Sequence, residues 1–301
     1  ACVPTRTRTT LLPMSYHVSV SGNDANAGTS SAPFKTIQKC LNLVQPGDTC
    51  QVLGGTYNEA LTLKTSGTAS LPITIKCESI KACTVNSGIA QTLGTSNHTH
   101  YYTIDGFRFI GNAVTNYATL YFGQGTIWSA TDKTLGNNGF ILRNCYVEGN
   151  LKFYGHDNLV ENCEFNGKNL WDNGVQDWYA TSYNNTYRNN VIYSYPYRGI
   201  WSMDRTDNIL IEGNSIRDSG KCIDADGAGT PVTRFTIKNN TFTNCDMGIE
   251  LENTFESLVE WNVFKNQNLA IHVSGTGNGP DFFTAGKIEW RDKDTHTIIR
   301  N

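Results

Sequence analysis

No apolar run in this sequence approaches the roughly 18 residues that a membrane-spanning helix needs, so no span is expected. Charge is scarce as well. Only 17% of the residues are Asp, Glu, Lys or Arg, and the formal net charge is −3. A nucleic-acid partner would need a basic patch to engage phosphates, and this balance argues against one. No glycine-rich phosphate loop precedes a convincing helix, and no Cys/His set has zinc spacing. A nucleophilic Ser or Cys with a His partner is not evident either. What abounds is Gly, Asn, Thr and Ser, a turn-rich composition that suits β structure better than helix.

The chain of 301 residues carries a recurring pattern between Phe140 and Phe264. An aliphatic or aromatic residue is followed by a charged residue, a small polar residue, then Asn or Cys, any residue, and an apolar residue. It reads Leu142-Arg143-Asn144-Cys145-Tyr146-Val147 and Val160-Glu161-Asn162-Cys163-Glu164-Phe165. It returns around Asn190, Asn214, Asn240 and Asn262, with a degenerate early copy at Ile104-Asp105-Gly106-Phe107-Arg108-Phe109. The steps between fourth positions are 18, 27, 24, 26 and 22 residues. Repeats of this length signal a solenoid, and short alternating apolar segments make it a solenoid of strands. Asn190, Asn214, Asn240 and Asn262 then form an internal amide stack, which Cys145 and Cys163 continue.

The start, Ala1-Cys2-Val3-Pro4, reads as that of a processed, secreted chain. The nine cysteines point the same way, because eight fall into neighbouring pairs: Cys40/Cys50, Cys77/Cys83, Cys145/Cys163 and Cys222/Cys245. Reduced cysteines packed as small hydrophobes are the alternative. Cys2 is left over. Sequons at Asn97, Asn184 and Asn239 are candidate glycosylation sites.

Residues 1–14 form a strand-like extension, read either as a frayed tail or as a strand that adds to another subunit. The remainder, 15–301, reads as one domain. Phe34, Ile37, Leu41 and Val44 have helical spacing, and Pro46-Gly47 stops that helix. Strands are expected again near 287–299.

The segment from Tyr16 to Leu63 resembles the opening of secreted right-handed parallel β-helix proteins. These include some pectate lyases, chondroitin and alginate lyases, and uncharacterised surface proteins. The resemblance implies an all-β, single-stranded right-handed parallel β-helix whose first coil is capped by the helix near 34–44. Such families usually carry small or aliphatic residues where this chain has Cys40 and Cys50, and the paired change supports a disulfide there. It implies carbohydrate chemistry only through the site, since function is grafted on a fold. The polygalacturonase-like trio of acidic motifs with its Gly-His-Gly is absent.

Aligning the second strand of each coil on its first apolar residue points Leu151, Trp178, Ile200, Ile223, Ile249 and Ile271 inward. The outward column then reads Lys152, Tyr179, Trp201, Asp224, Glu250, His272, and the next reads Tyr154, Thr181, Met203, Asp226, Glu252, Ser274. Like charges facing each other across strands repel, so the four carboxylates call for a cation, a shared proton or full solvation. Asp224, Asp226, Glu250 and Glu252 are therefore candidate Ca²⁺ ligands. Asp224, Glu250, His272 and Lys152 are candidate catalytic groups, and Tyr154, Tyr179 and Trp201 candidate sugar platforms. The alternative is a solvated acidic face without chemistry.

Two functions are open to such a chain. One is an extracellular structural subunit that assembles with itself head to tail into a filament, using residues 1–14. The other is a polysaccharide-acting enzyme, a Ca²⁺-dependent uronate lyase or a glycosidase, with an acidic groove on one sheet face.

Overall fold

A computed structural model describes residues 12–87, 93–95, 99–111, 119–123, 136–169, 173–178, 182–227, 230–274, 281–283, 289–291 and 297–300. The repeated motif builds one corner of every coil. Its first half is a short strand, as in Ile141–Arg143, Leu159–Glu161, Thr186–Arg188, Leu210–Glu212, Thr236–Lys238 and Leu258–Glu260. Each of these pairs in parallel with the next, inside a 12-stranded sheet that begins at Ser15–Val18. The second half of the motif enters a 17-stranded sheet. The solenoid of stacked parallel coils is therefore all-β, with one short helix among the described residues.

The third motif position makes the bend between the two sheets. Asn144, Asn162, Asn189, Gly213, Asn239 and Trp261 all have φ between 54° and 67°. That left-handed region costs least for Gly and Asn, which explains the small polar residue of the pattern. Trp261 is the exception and stands 62% exposed.

One position later the amide ladder forms. The backbone and side-chain N–H groups of Asn190 donate to Oδ1 of Asn214 at 2.9 and 3.1 Å. Asn214 does the same to Asn240, and Asn240 to Asn262. Each buried amide thus satisfies the coil before it, which fixes the register. The Cys163 N–H joins the ladder by donating to Asn190 Oδ1 at 2.9 Å.

Three of the expected disulfides are present: Cys40–Cys50, Cys77–Cys83 and Cys222–Cys245. The fourth is not, because Cys145 and Cys163 are free, buried thiols. Their strands pair in register. Stacked parallel strands hold equivalent Cα atoms about 4.8 Å apart with side chains pointing the same way, whereas a disulfide needs converging Cβ vectors and usually a wider separation. Each thiol instead donates to a backbone carbonyl two residues back, Cys145 to Arg143 at 3.1 Å and Cys163 to Glu161 at 3.3 Å.

The helix at the first coil spans Ile37–Leu41, the central part of the expected 34–44. Thr36 caps it by accepting from the Lys39 N–H. Glu59 accepts the Ile37 and Gln38 N–H groups at 2.8 and 3.0 Å. The side-chain amide of Gln38 then imitates a missing strand. Its Oε1 accepts the Thr62 N–H at 2.8 Å, and its Nε2 donates to the Thr62 carbonyl at 3.1 Å. Replacing Gln38 with alanine exposes both groups of that strand and is expected to cost about 1–3 kcal/mol. Urea unfolding checks this, with a lower midpoint and an unchanged slope.

The first strand of the other sheet is closed too. The His17 and Ser19 N–H groups donate to the Gly28 and Phe34 carbonyls, and the Phe34 N–H donates to the His17 carbonyl. A strand donated to this end would have to displace these bonds. Residues 1–11, including Cys2, lie outside the described residues. At the far end Ile298–Arg300 pairs in parallel with Leu258–Glu260 and antiparallel with Glu289–Arg291.

Candidate active site

The long strand Val191–Met203 carries the site's first elements. It pairs with Ser215–Asp226, which pairs with Met247–Glu252, which pairs with Leu269–Ser274. The register places Trp201, Asp224, Glu250 and His272 side by side, and Met203, Asp226, Glu252 and Ser274 two residues on. Both outward columns are as the alternation of these strands predicts.

One coil upstream the expected alignment is off by three residues. Val175, not Trp178, stands between Leu151 and Ile200, and Gln176 stands between Lys152 and Trp201 where Tyr179 was expected. Asp177 therefore points inward and is fully buried. The Asn185 amide donates to it at 2.7 Å, with the Tyr187 and Ser202 hydroxyls beside it. Burial pushes this carboxyl up to about 7 against those hydrogen bonds. A carboxyl kept neutral can occupy a core position, and the apolar Trp178 disguised it in the sequence. Tyr179 lies outside the described residues.

The four outward carboxylates do not stand alone. The guanidinium of Arg198 lies 3.9 Å from the ring centre of Tyr197 and 4.5 Å from that of Trp201. Its Nε donates to Asp224 Oδ2, and its Nη2 lies 3.9 Å from Asp226 Oδ2. Lys221 Nζ is 2.9 Å from Asp224 Oδ2 and also pairs with Glu250. His272 Nδ1 lies 3.0 Å from Glu250 Oε1. The Trp201 indole donates to Asp226 Oδ2 at 3.2 Å. Arg198 and Lys221 occupy matched positions, each three residues before the outward column. That matched spacing is the signal in the sequence that points to them.

This network divides the carboxylates by environment. Burial pushes Asp224 up, against the pull of Lys221 and Arg198. Glu250 is also desolvated, yet Lys221 and His272 hold it below the usual carboxylate range. Lys221 loses hydration, but Asp224 and Glu250 outweigh that and raise it further above neutrality. Glu252 is raised by burial and by the charges of Asp226, Glu250 and Asp224. Asp224 and Glu250 thus hold Lys221 between them, and Asp226 and Glu252 are the more exposed pair. These residues do not fit a calcium cage, since three of the four candidate ligands are engaged by Arg198 and Lys221. Among the described residues no group of three or more His, Cys, Asp or Glu is placed to hold a metal ion.

The remaining candidates lie apart. Lys152 is three strands from Asp224 along the same column, roughly 14 Å away. Tyr154 is buried and tilted against Tyr121, with ring centres 5.8 Å apart. Asn184 is exposed, but its amide donates to Asp157 and its carbonyl oxygen accepts from Asn208. Asn239 is exposed at the motif bend, and Asn97 lies outside the described residues.

The fold is shared with proteins of little sequence similarity. XylC in its complex with xylose matches with a TM-score of 0.61 and 13% identity, over 84% of this chain and 68% of that one. A glycoside hydrolase matches with a TM-score of 0.57 and 9% identity, over 84% of this chain and 96% of that one. The pectate lyase Pel9A matches at 0.56 and 14%, over 84% and 78%. Such similarity establishes a parallel β-helix and no activity. In sequence, 60 residues are 40% identical to the uncharacterized protein YwoF of Bacillus subtilis (strain 168). That stretch is 20% of this chain and spans only 13% of the length of that protein. The model of DUF1565, a family of proteins of unknown function, matches residues 20–252, and the chain belongs to that family.

Proposed function

We propose that this protein is a polysaccharide-cleaving enzyme of the retaining glycosidase type, with Glu252 as the acid and Asp226 as the nucleophile. The observation that carries this is their placement in register on adjacent parallel strands. Strand spacing of about 4.8 Å, with both side chains pointing outward, is close to the separation of roughly 5–5.5 Å that double displacement requires. Their environments differ, as such a pair needs. Glu252 holds its proton longer than an ordinary carboxyl, and Asp226 is aimed by the Trp201 indole.

In the first step Glu252 gives its proton to the glycosidic oxygen as Asp226 attacks the anomeric carbon, and the C–O bond to the leaving sugar breaks. Water then attacks the glycosyl ester, Glu252 takes the water's proton, and Asp226 leaves as carboxylate. Arg198 holds Asp224, and Lys221 holds Asp224 and Glu250, throughout. A uronate lyase would need a base to take the sugar's ring proton. Lys221 is the nearest cationic candidate, and its neighbours hold it protonated.

Three disulfides support an oxidising, extracellular setting. The polysaccharide reading takes the place of the filament, for which neither the fold nor the similar proteins offer support. Incubation with a panel of polysaccharides is expected to release new reducing ends, and proton NMR of the first product to show the anomeric configuration of the substrate. Absence of new reducing ends across the panel counts against hydrolysis, and inversion counts against the Asp226 nucleophile.

A further inference from the structure

We infer that the site takes an uncharged glycan and excludes chains whose sugars carry a carboxylate. The inference rests on the hydrolase reading and adds the substrate class. Four carboxylates, Asp224, Asp226, Glu250 and Glu252, share two adjacent strands in register. Two cations, Arg198 and Lys221, and His272 pair with Asp224 and Glu250, and the charge that faces substrate is that of Asp226, with Glu252 beside it as the acid.

Neither cation is positioned to receive a substrate carboxylate. The Arg198 side chain is only 8% exposed, bonded to Asp224 and packed against the rings of Tyr197 and Trp201. Lys221 bridges Asp224 and Glu250. A uronate entering beside Asp226 would bring a second negative charge against that carboxylate in a partly desolvated site. Like charges a few ångströms apart there oppose binding by about 100-fold.

The apolar side of the site suits a neutral sugar. Trp201 is partly exposed, and its indole N–H ties it to Asp226. Tyr197, whose ring centre lies 3.9 Å from the Arg198 guanidinium, is 44% exposed. Aromatic faces next to hydrogen-bonding carboxylates match the C–H faces and hydroxyls of an uncharged pyranose.

The test uses matched polymers: β-glucan, galactan and mannan, each beside the same polymer oxidised at C6 to the uronate. Cleavage is measured with calcium and with chelator. Binding of the corresponding hexasaccharides is followed by tryptophan fluorescence. The expected result is cleavage of at least one neutral polymer, at least about 100-fold slower cleavage of its oxidised partner, and no rescue by calcium. The Asp226→Asn/Glu252→Gln double variant, which removes two carboxylates, is expected to bind the oxidised hexasaccharide about 10-fold or more tightly than the unaltered protein does. Cleavage or binding of an oxidised chain as readily as its neutral partner overturns the inference while leaving the hydrolase reading intact. Preferential binding of neutral hexasaccharides without cleavage of any polymer supports the substrate class and removes the hydrolase reading. Binding of neither form removes both.

Discussion

Replacing Glu252 with glutamine should lower the rate of glycoside cleavage by about 10²–10⁴-fold, the usual contribution of a positioned proton donor. Glutamine keeps the size and hydrogen-bonding reach of the side chain but cannot give up a proton to a leaving oxygen. The loss should fall on kcat more than on KM, because the proton moves only in the transition state. The pH profile sharpens the expectation. Burial and three neighbouring carboxylates raise Glu252 above the ordinary range, so its acid form persists to higher pH than a free glutamate's. The alkaline limb of kcat should therefore lie above pH 4.5, the ordinary value for this group. In the Glu252→Gln variant that limb should disappear from the residual activity. A substrate with a leaving group that needs no proton should recover most of the lost rate. If the variant retains both its rate and its alkaline limb, Glu252 is not the acid.

Asp177→Asn should make the protein more stable at pH 8 and leave it almost unchanged at pH 4. The sign follows from the two forms of the carboxyl. In the unfolded chain an aspartate releases its proton near pH 4. In the folded coil burial pushes Asp177 up to about 7. Between those values the folded state holds a proton that the unfolded state has lost, so stability falls as pH rises through this window. Above the folded value the loss is complete and amounts to at most about 4 kcal/mol. Asparagine is neutral at every pH and can still accept the Asn185 N–H that now reaches Oδ1. Denaturant unfolding of both proteins at pH 4, 6 and 8 isolates this group from all others. Parallel stability curves would show that Asp177 ionises in the fold like a surface carboxyl.

The sequence alone specified the stacked coils, because a solenoid repeats the same local problem. Every coil needs a left-handed residue at its bend, followed by an amide that caps the previous coil. Asn189-Asn190, Gly213-Asn214 and Asn239-Asn240 supply both. The outward columns from Trp201 to His272 were equally legible, since strands of equal phase stack side chain on side chain. Three disulfides could be read from chain separation, because each joins cysteines within about one coil.

Tertiary structure decided the rest. A second ladder, in which Phe140 donates to Asn158 and Asn158 to Asn185, keeps the same 18- and 27-residue steps as the first but has only two amides to reveal it. The state of Cys145 and Cys163 depended on the direction of two Cβ bonds, not on their separation along the chain. The polarity of Asp177 concealed an interior position that only its hydrogen-bonding neighbours make tolerable. The same held for the candidate site. Sequence periodicity aligned four carboxylates and left their counter-charges open. The fold brought Arg198 against Asp224, and Lys221 against Glu250, because strands distant in sequence lie one spacing apart in the stack. The environment of each carboxylate is therefore set largely by contacts between coils, which no local pattern of residues encodes.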